Sequence, residues 1–173
     1  TTWYFDDAGS GVSFERAVGP SLTVWSDYLF AGGQRIGVRL SRSDLTTNTR
    51  YFVTDHLGSI AVITNEAGVV AERLAYDAWG KRRKPNATDD TLNILTASAT
   101  TRGFTDHEMI DELDLVNMNG RVYDPTIGRF MSADPFIHDV TNSQDLNRYS
   151  YVHNNPLSYV DQNGYGFFKS IGK

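Results

Sequence analysis

The chain has 173 residues, 40% hydrophobic and 21% charged, a composition that folds as one domain or as a piece of a larger one. Its 16 Lys and Arg against 21 Asp and Glu leave a formal net charge of −5, which argues against non-specific nucleic-acid binding. There is no cysteine, so disulfide scaffolds, cysteine-ligated zinc and thiol nucleophiles are excluded. No stretch approaches the roughly 20 apolar residues of a membrane span, and no signal peptide is present. The chain opens on Thr1 rather than Met and reads as part of something longer.

Nine Tyr, nine Phe and three Trp, with many Val, Ile and Thr, favour strands over helices. Residues 1–84 read as a strip of sequential antiparallel hairpins. Within it, residues 50–54, 59–64 and 69–76 are strands with alternating side chains. The turns between and after them fall at Asp55-His56-Leu57-Gly58, Asn65-Glu66-Ala67-Gly68 and Asp77-Ala78-Trp79-Gly80. Phe5-Asp6-Asp7-Ala8-Gly9 echoes Tyr76-Asp77-Ala78-Trp79-Gly80, and Tyr123-Asp124-Pro125-Thr126-Ile127-Gly128 is a looser copy. In such a unit the aromatic packs at the strand end, Asp accepts backbone N–H bonds, and Gly takes the strained position. Three copies suggest a repeat architecture whose units bury their faces only against neighbours.

The basic run Lys81-Arg82-Arg83-Lys84 reads most simply as a solvated turn, and otherwise as an anionic docking patch. Residues 85–101 are polar and read as a linker or long loop. Residues 102–165 form a C-terminal core with one or two short helices. One is expected over 106–116, capped by Asp106, with Met109, Ile110, Leu113 and Val116 on one stripe. A helical turn is expected within 142–151. Phe167, Phe168 and Ile171 with Lys169 and Lys173 make a short amphipathic tail.

Few other constellations carry chemistry. Asp55-His56, Asp106-His107-Glu108 and His138-Asp139 place metal-capable groups side by side, but none has His-x-x-x-His spacing, so they read as polar turn residues. There is no nucleophile elbow and no phosphate-binding glycine loop. Tyr149, Tyr151 and Tyr159 read as a packed wall; exposed on one face, they would instead suit glycan contact.

Three segments together carry a signature: Thr54-Asp55-His56-Leu57-Gly58-Ser59; Asn119-Gly120-Arg121-Val122-Tyr123-Asp124-Pro125, running on through Gly128-Arg129-Phe130-Met131-Ser132-Ala133-Asp134-Pro135; and Asn147-Arg148-Tyr149-Ser150-Tyr151, followed by Asn154-Asn155-Pro156-Leu157. In this order they resemble the RHS-repeat-associated core, the carboxy-terminal end of the YD-repeat wall of bacterial Rhs proteins and toxin-complex C subunits. The resemblance runs from about residue 49 to 165. It implies a hollow β-shell that encloses a variable C-terminal toxin domain beginning near residue 166. It also implies a secreted or cell-surface bacterial protein. Its partners would be upstream shell strands and the downstream toxin of the same protein, with a secretion system or immunity protein as a further candidate.

In many members the core is also a single-turnover aspartyl autoprotease. Carried over by motif, its residues are Arg121, Asp134 and Asp161, with Gly164 and Tyr165 at the cut. Gln162 stands where the family has Pro, and Tyr165 where it has Leu. No cofactor or metal is called for. Two carboxylates brought close share a proton, so one acts as acid and the other as base. The same aspartates are also ordinary turn starts. A cell-surface adhesion or carbohydrate-binding module without catalysis is the alternative.

Overall fold

The alternating strand pattern of the first 73 residues becomes one continuous meander. The structure, a computed structural model, describes residues 1–7, 12–137 and 139–169. Among these residues, β1 (Thr2–Asp7), β2 (Val12–Val18), β3 (Thr23–Ala31), β4 (Gln34–Arg42), β5 (Thr47–Thr54), β6 (Ile60–Thr64) and β7 (Val70–Arg73) form a seven-stranded sheet in sequence order. The pairings are antiparallel, as short hairpin connections require.

The chain divides into two compact units. The first comprises Thr1–Val53, Ala61–Arg73 and Ser98–Thr100. Its buried side chains follow the pleat. Tyr28 and Val38 are direct partners across β3 and β4, and Leu40 and Phe52 extend the same face. A 3.0 Å hydrogen bond joins Tyr28 Oη to Thr100 Oγ1, and Ser98 N–H donates to the Glu72 carboxylate. These bonds tie the irregular 98–100 segment into the unit.

The second unit comprises Thr54–Ile60, Leu74–Ala97 and Thr101–Lys173. It holds the pair β8 (Ala75–Tyr76) and β9 (Arg82–Arg83), and a four-stranded sheet of β10 (Glu108–Ile110), β11 (Leu115–Asn117), β12 (Val122–Asp124) and β13 (Arg129–Phe130). A last pair joins β14 (Tyr159–Asp161) to β15 (Phe167–Lys169). Its core gathers Leu57, Phe104, Met109, Val116, Met118, Tyr123, Phe130, Tyr151, Val152 and Val160. Tyr123 lies at the centre, with ring centroids 4.6 Å from Tyr151 and 5.6 Å from Phe130. Its hydroxyl donates to Trp79 O at 2.8 Å, which satisfies the buried polar tip.

The aromatic-Asp-Gly echo has the geometry its chemistry demands. Asp77 Oδ1 accepts from Trp79 N–H at 2.8 Å and Lys81 N–H at 2.9 Å, and Gly80 takes φ +94°. Asp55 and Asn65 bind their turns in the same way. The first echo runs into residues 8–11, which lie outside the described residues.

Two helical expectations are corrected. The expected helix over 106–116 is a hairpin: β10, a single 3-10 turn at Asp111–Leu113, then β11. Met109 and Val116 are opposite partners in it, so the seven-residue spacing that mimics a helical stripe is a cross-strand pair. Leu113, on the supposed stripe, is 65% exposed. No helix lies in 142–151 either. Successive turns there are pinned by Asn142 and Asn147, whose side chains accept from Gln144 and Tyr149 N–H. The tail enters a strand, β15, over Phe167–Lys169; Ile171 and Lys173 lie outside the described residues.

The basic run is also not simply a solvated turn. Arg82 is buried and pairs with Asp111, Nε to Oδ1 at 2.7 Å and Nη2 to Oδ2 at 3.3 Å. Arg83 donates to Ala87 O at 2.8 Å.

Candidate functional site

Arg121, Asp134 and Asp161 meet in the second unit. Arg121 enters β12, Asp134 follows β13, and Asp161 ends β14. The Arg121 Nη2 lies 2.9 Å from Asp134 Oδ2 and 3.5 Å from Asp161 Oδ2. The two Oδ2 atoms therefore cannot lie further apart than these distances laid end to end, close to the span of one bridging water. Arg121 Nη1 donates to Arg148 O at 3.1 Å, and its Nε donates to Gly164 O. Its guanidinium stacks on the Phe130 ring, 3.6 Å from the centroid.

Each aspartate caps its own turn with one oxygen and faces Arg121 with the other. Asp134 Oδ1 accepts from Phe136 N–H at 2.9 Å, while Oδ2 faces Arg121. Asp161 Oδ1 accepts from Gly164 N–H at 2.8 Å, Gly166 N–H at 3.2 Å and Asn163 N–H at 3.3 Å, and its Oδ2 faces Arg121. Burial pushes the Asp161 carboxyl up, against the pull of those N–H groups and of Arg121. Burial likewise lowers the Arg121 guanidinium, opposed by Asp134 and then Asp161.

Gly164 is required where it stands. Its φ is +76°, and a Cβ there would lie 2.5 Å from Met118 O. Tyr165 follows, with its ring edge-on to Phe136 at 6.2 Å and so close to Gly120 that a Cβ on that glycine would meet it at 2.2 Å. An open cleft is lined by Arg121, Asp134, Phe136, Arg148, Asp161 and Tyr165 among others. Arg148 was legible only as part of a motif. Here its carbonyl accepts from both Arg121 and Asp134 N–H, and its own Nε donates to Asp134 O.

The remaining candidates take structural places. His56 Nε2 bonds to Leu157 O, and Glu108 accepts from Asn117. His138 lies outside the described residues. No group of three His, Asp or Glu is placed to hold a metal among the described residues, nor is any helix among them long and apolar enough to cross a membrane. Tyr151 is fully buried and Tyr159 packs on the core, so these two and Tyr149 do not form one exposed aromatic face.

The teneurin YD-shell family model matches residues 42–157. The tRNA3(Ser)-specific nuclease WapA of Bacillus spizizenii is 26% identical over 165 residues, which is 95% of this chain and 7% of that protein. The double-stranded DNA deaminase toxin A of Burkholderia cenocepacia is 32% identical over 124 residues, 70% of this chain and 8% of the toxin. The chain thus spans less than a tenth of the length of these relatives. The crystal structure of TcdB2-TccC3 without its hypervariable C-terminal region superposes with a TM-score of 0.63 at 22% identity, covering 93% of this chain and 8% of that one. That likeness shows the shared fold. The family match covers well over half of the sequence, and the chain belongs to the teneurin YD-shell family.

Proposed function

We propose that this chain is the closing segment of a secreted bacterial YD-repeat shell, which encloses a downstream toxin domain and cuts the backbone once, between Tyr165 and Gly166. One observation carries the reading. Asp161 Oδ1 sits 3.2 Å from the Gly166 nitrogen, the leaving group of that cut, and Asp161 shares Arg121 with Asp134. The edge of the sheet supports the enclosing role. Trp3, Tyr4 and Phe5 of the outermost strand β1 are all more than half exposed, a surface suited to the preceding hairpin of a longer wall. The related TcdB2-TccC3 structure lacks a hypervariable C-terminal region, and the Burkholderia relative is a toxin, which supports a variable domain downstream.

This geometry suits a hydrolysis shared between two carboxylates. Asp134, in the closer ion pair, is the base. It takes a proton from a water whose oxygen adds to the Tyr165 carbonyl carbon. Asp161, whose Oδ1 lies 3.2 Å from the Gly166 nitrogen, is the acid, and burial works in favour of its protonated form. Its proton goes to the Gly166 nitrogen as the C–N bond breaks. The products are a new carboxylic acid on Tyr165 and a new amine on Gly166. Because the scissile bond is part of the chain, tethering replaces substrate binding.

The test uses the full-length protein, purified without denaturant. Two fragments are expected that co-elute on gel filtration and separate only on denaturation, with the downstream fragment resistant to added protease until then. A downstream fragment digested as fast as an unfolded chain contradicts enclosure.

A further inference from the structure

We infer that His107 is a positioning residue for the cut, clamping the backbone just before the scissile bond. This rests on the self-cleavage reading. The carbonyls of residues 162, 163 and 164 are each held by a donor from elsewhere in the unit. Gln162 O accepts from His107 Nε2 at 3.2 Å and from Asn119 Nδ2 at 3.2 Å. Asn163 O accepts from Gly120 N–H at 3.0 Å, and Gly164 O from Arg121 Nε. The N–H groups of residues 163, 164 and 166 are held from the other side by Asp161 Oδ1. Gln162 lacks the rigid ring that proline would give at this position. Its carbonyl is held by donors from elsewhere in the unit.

His107 is built for this role. It is 4% exposed, and a carbonyl oxygen can only accept, so its Nε2 carries the hydrogen. Its Nδ1 lies 2.8 Å from Thr105 Oγ1, which fixes the ring's orientation. Thr105 holds an unusual φ of +48°, a left-handed conformation that is strained for a β-branched residue. Its N–H donates to Ser59 Oγ at 3.1 Å, which anchors the strained turn. Such strain persists where the surroundings over-determine it, and it clusters at functional positions.

Amide hydrogen exchange in the full-length protein, read by mass spectrometry over residues 159–169, tests the clamp alongside the rate of cutting. Three variants are compared with wild type. His107→Leu removes the donor. His107→Gln keeps an N–H near the Nε2 position. Asn119→Gly removes the exposed second donor while tolerating that residue's φ of +67°. We expect His107→Leu to speed exchange at residues 163–166 by at least about tenfold, with β5 and β6 unchanged. Cutting should slow by at least about tenfold in the same variant. His107→Gln should recover most of both effects, and Asn119→Gly should show a smaller step in the same direction. If His107→Leu does not fold, Asn119→Gly decides. Unchanged local exchange in the folded variants overturns the clamp even if wild type cuts. So does a rise spread evenly over the chain. A wild type that never cuts, yet shows the local exchange pattern, overturns self-cleavage and leaves the clamp standing.

Discussion

Asp161 accepts a hydrogen bond from the backbone nitrogen of Gly166 through the oxygen it does not turn toward Arg121. One carboxylate thus reaches both the leaving group of the proposed cut and the cation that links it to Asp134. Asparagine at position 161 would keep the accepting Oδ1 and remove a carboxyl whose ionised form burial disfavours. Asp161→Asn is therefore expected to cut at least about a hundredfold more slowly while melting no lower than wild type in calorimetry. A marked drop in melting temperature would show that the carboxylate holds the fold together instead.

Asp134→Asn has a different cost. It breaks a 2.9 Å pair whose partner, Arg121, is 6% exposed. Removing one member of a buried pair costs about 3 kcal/mol or more. Urea unfolding should show that loss, and cutting should stop. Arg121→Lys should behave similarly, because one ammonium cannot serve both carboxylates and the carbonyls of Gly164 and Arg148 together.

The core tyrosines set an alkaline limit. Burial pushes the Tyr76 hydroxyl up to about 12 and raises Tyr123 and Tyr151 as well. A raised value means that the folded state holds the proton more tightly. Its contribution is complete below the unfolded tyrosine value near 10. It is lost at about 1.4 kcal/mol per pH unit per tyrosine as pH rises above that. Urea midpoints should fall steeply from pH 10 to 12, and Tyr76→Phe should reduce the slope. A flat profile over that range would contradict the assigned burial.

Arg82 and Asp111 offer a test of the second unit away from the site. Arg82→Ala leaves Asp111 without its 2.7 Å partner and strips a cation from the Tyr76 ring, 5.6 Å from its centroid. A loss of about 3 kcal/mol is expected in urea unfolding. Asp111→Ala combined with it should add much less than the sum of the single effects.

The sequence was legible wherever one side chain dictates its own turn. Asp55, Asn65 and Asp77 each bind N–H groups two and four residues on, so the hairpins could be placed before any contact was known. It misled where two geometries share a spacing. Met109 and Val116 suit a helical face and a cross-strand pair equally, and in the structure they are partners across β10 and β11. Residues 69–76 read as one strand. The structure splits them at Leu74, because Ala75 and Tyr76 pair with β9 instead, a choice made by non-local partners. At the site, motif order brought Arg121, Asp134 and Asp161 together. His107 read only as a polar turn residue, because its contact is to a carbonyl 55 residues away.

The most direct test of the account is the intact mass of the denatured full-length protein, measured for wild type beside Asp134→Asn and Asp161→Asn. Wild type should yield two species, one ending at Tyr165 and one beginning at Gly166, while both variants give a single uncut mass. A folded wild type that stays in one piece, or a break at any other bond, would contradict it.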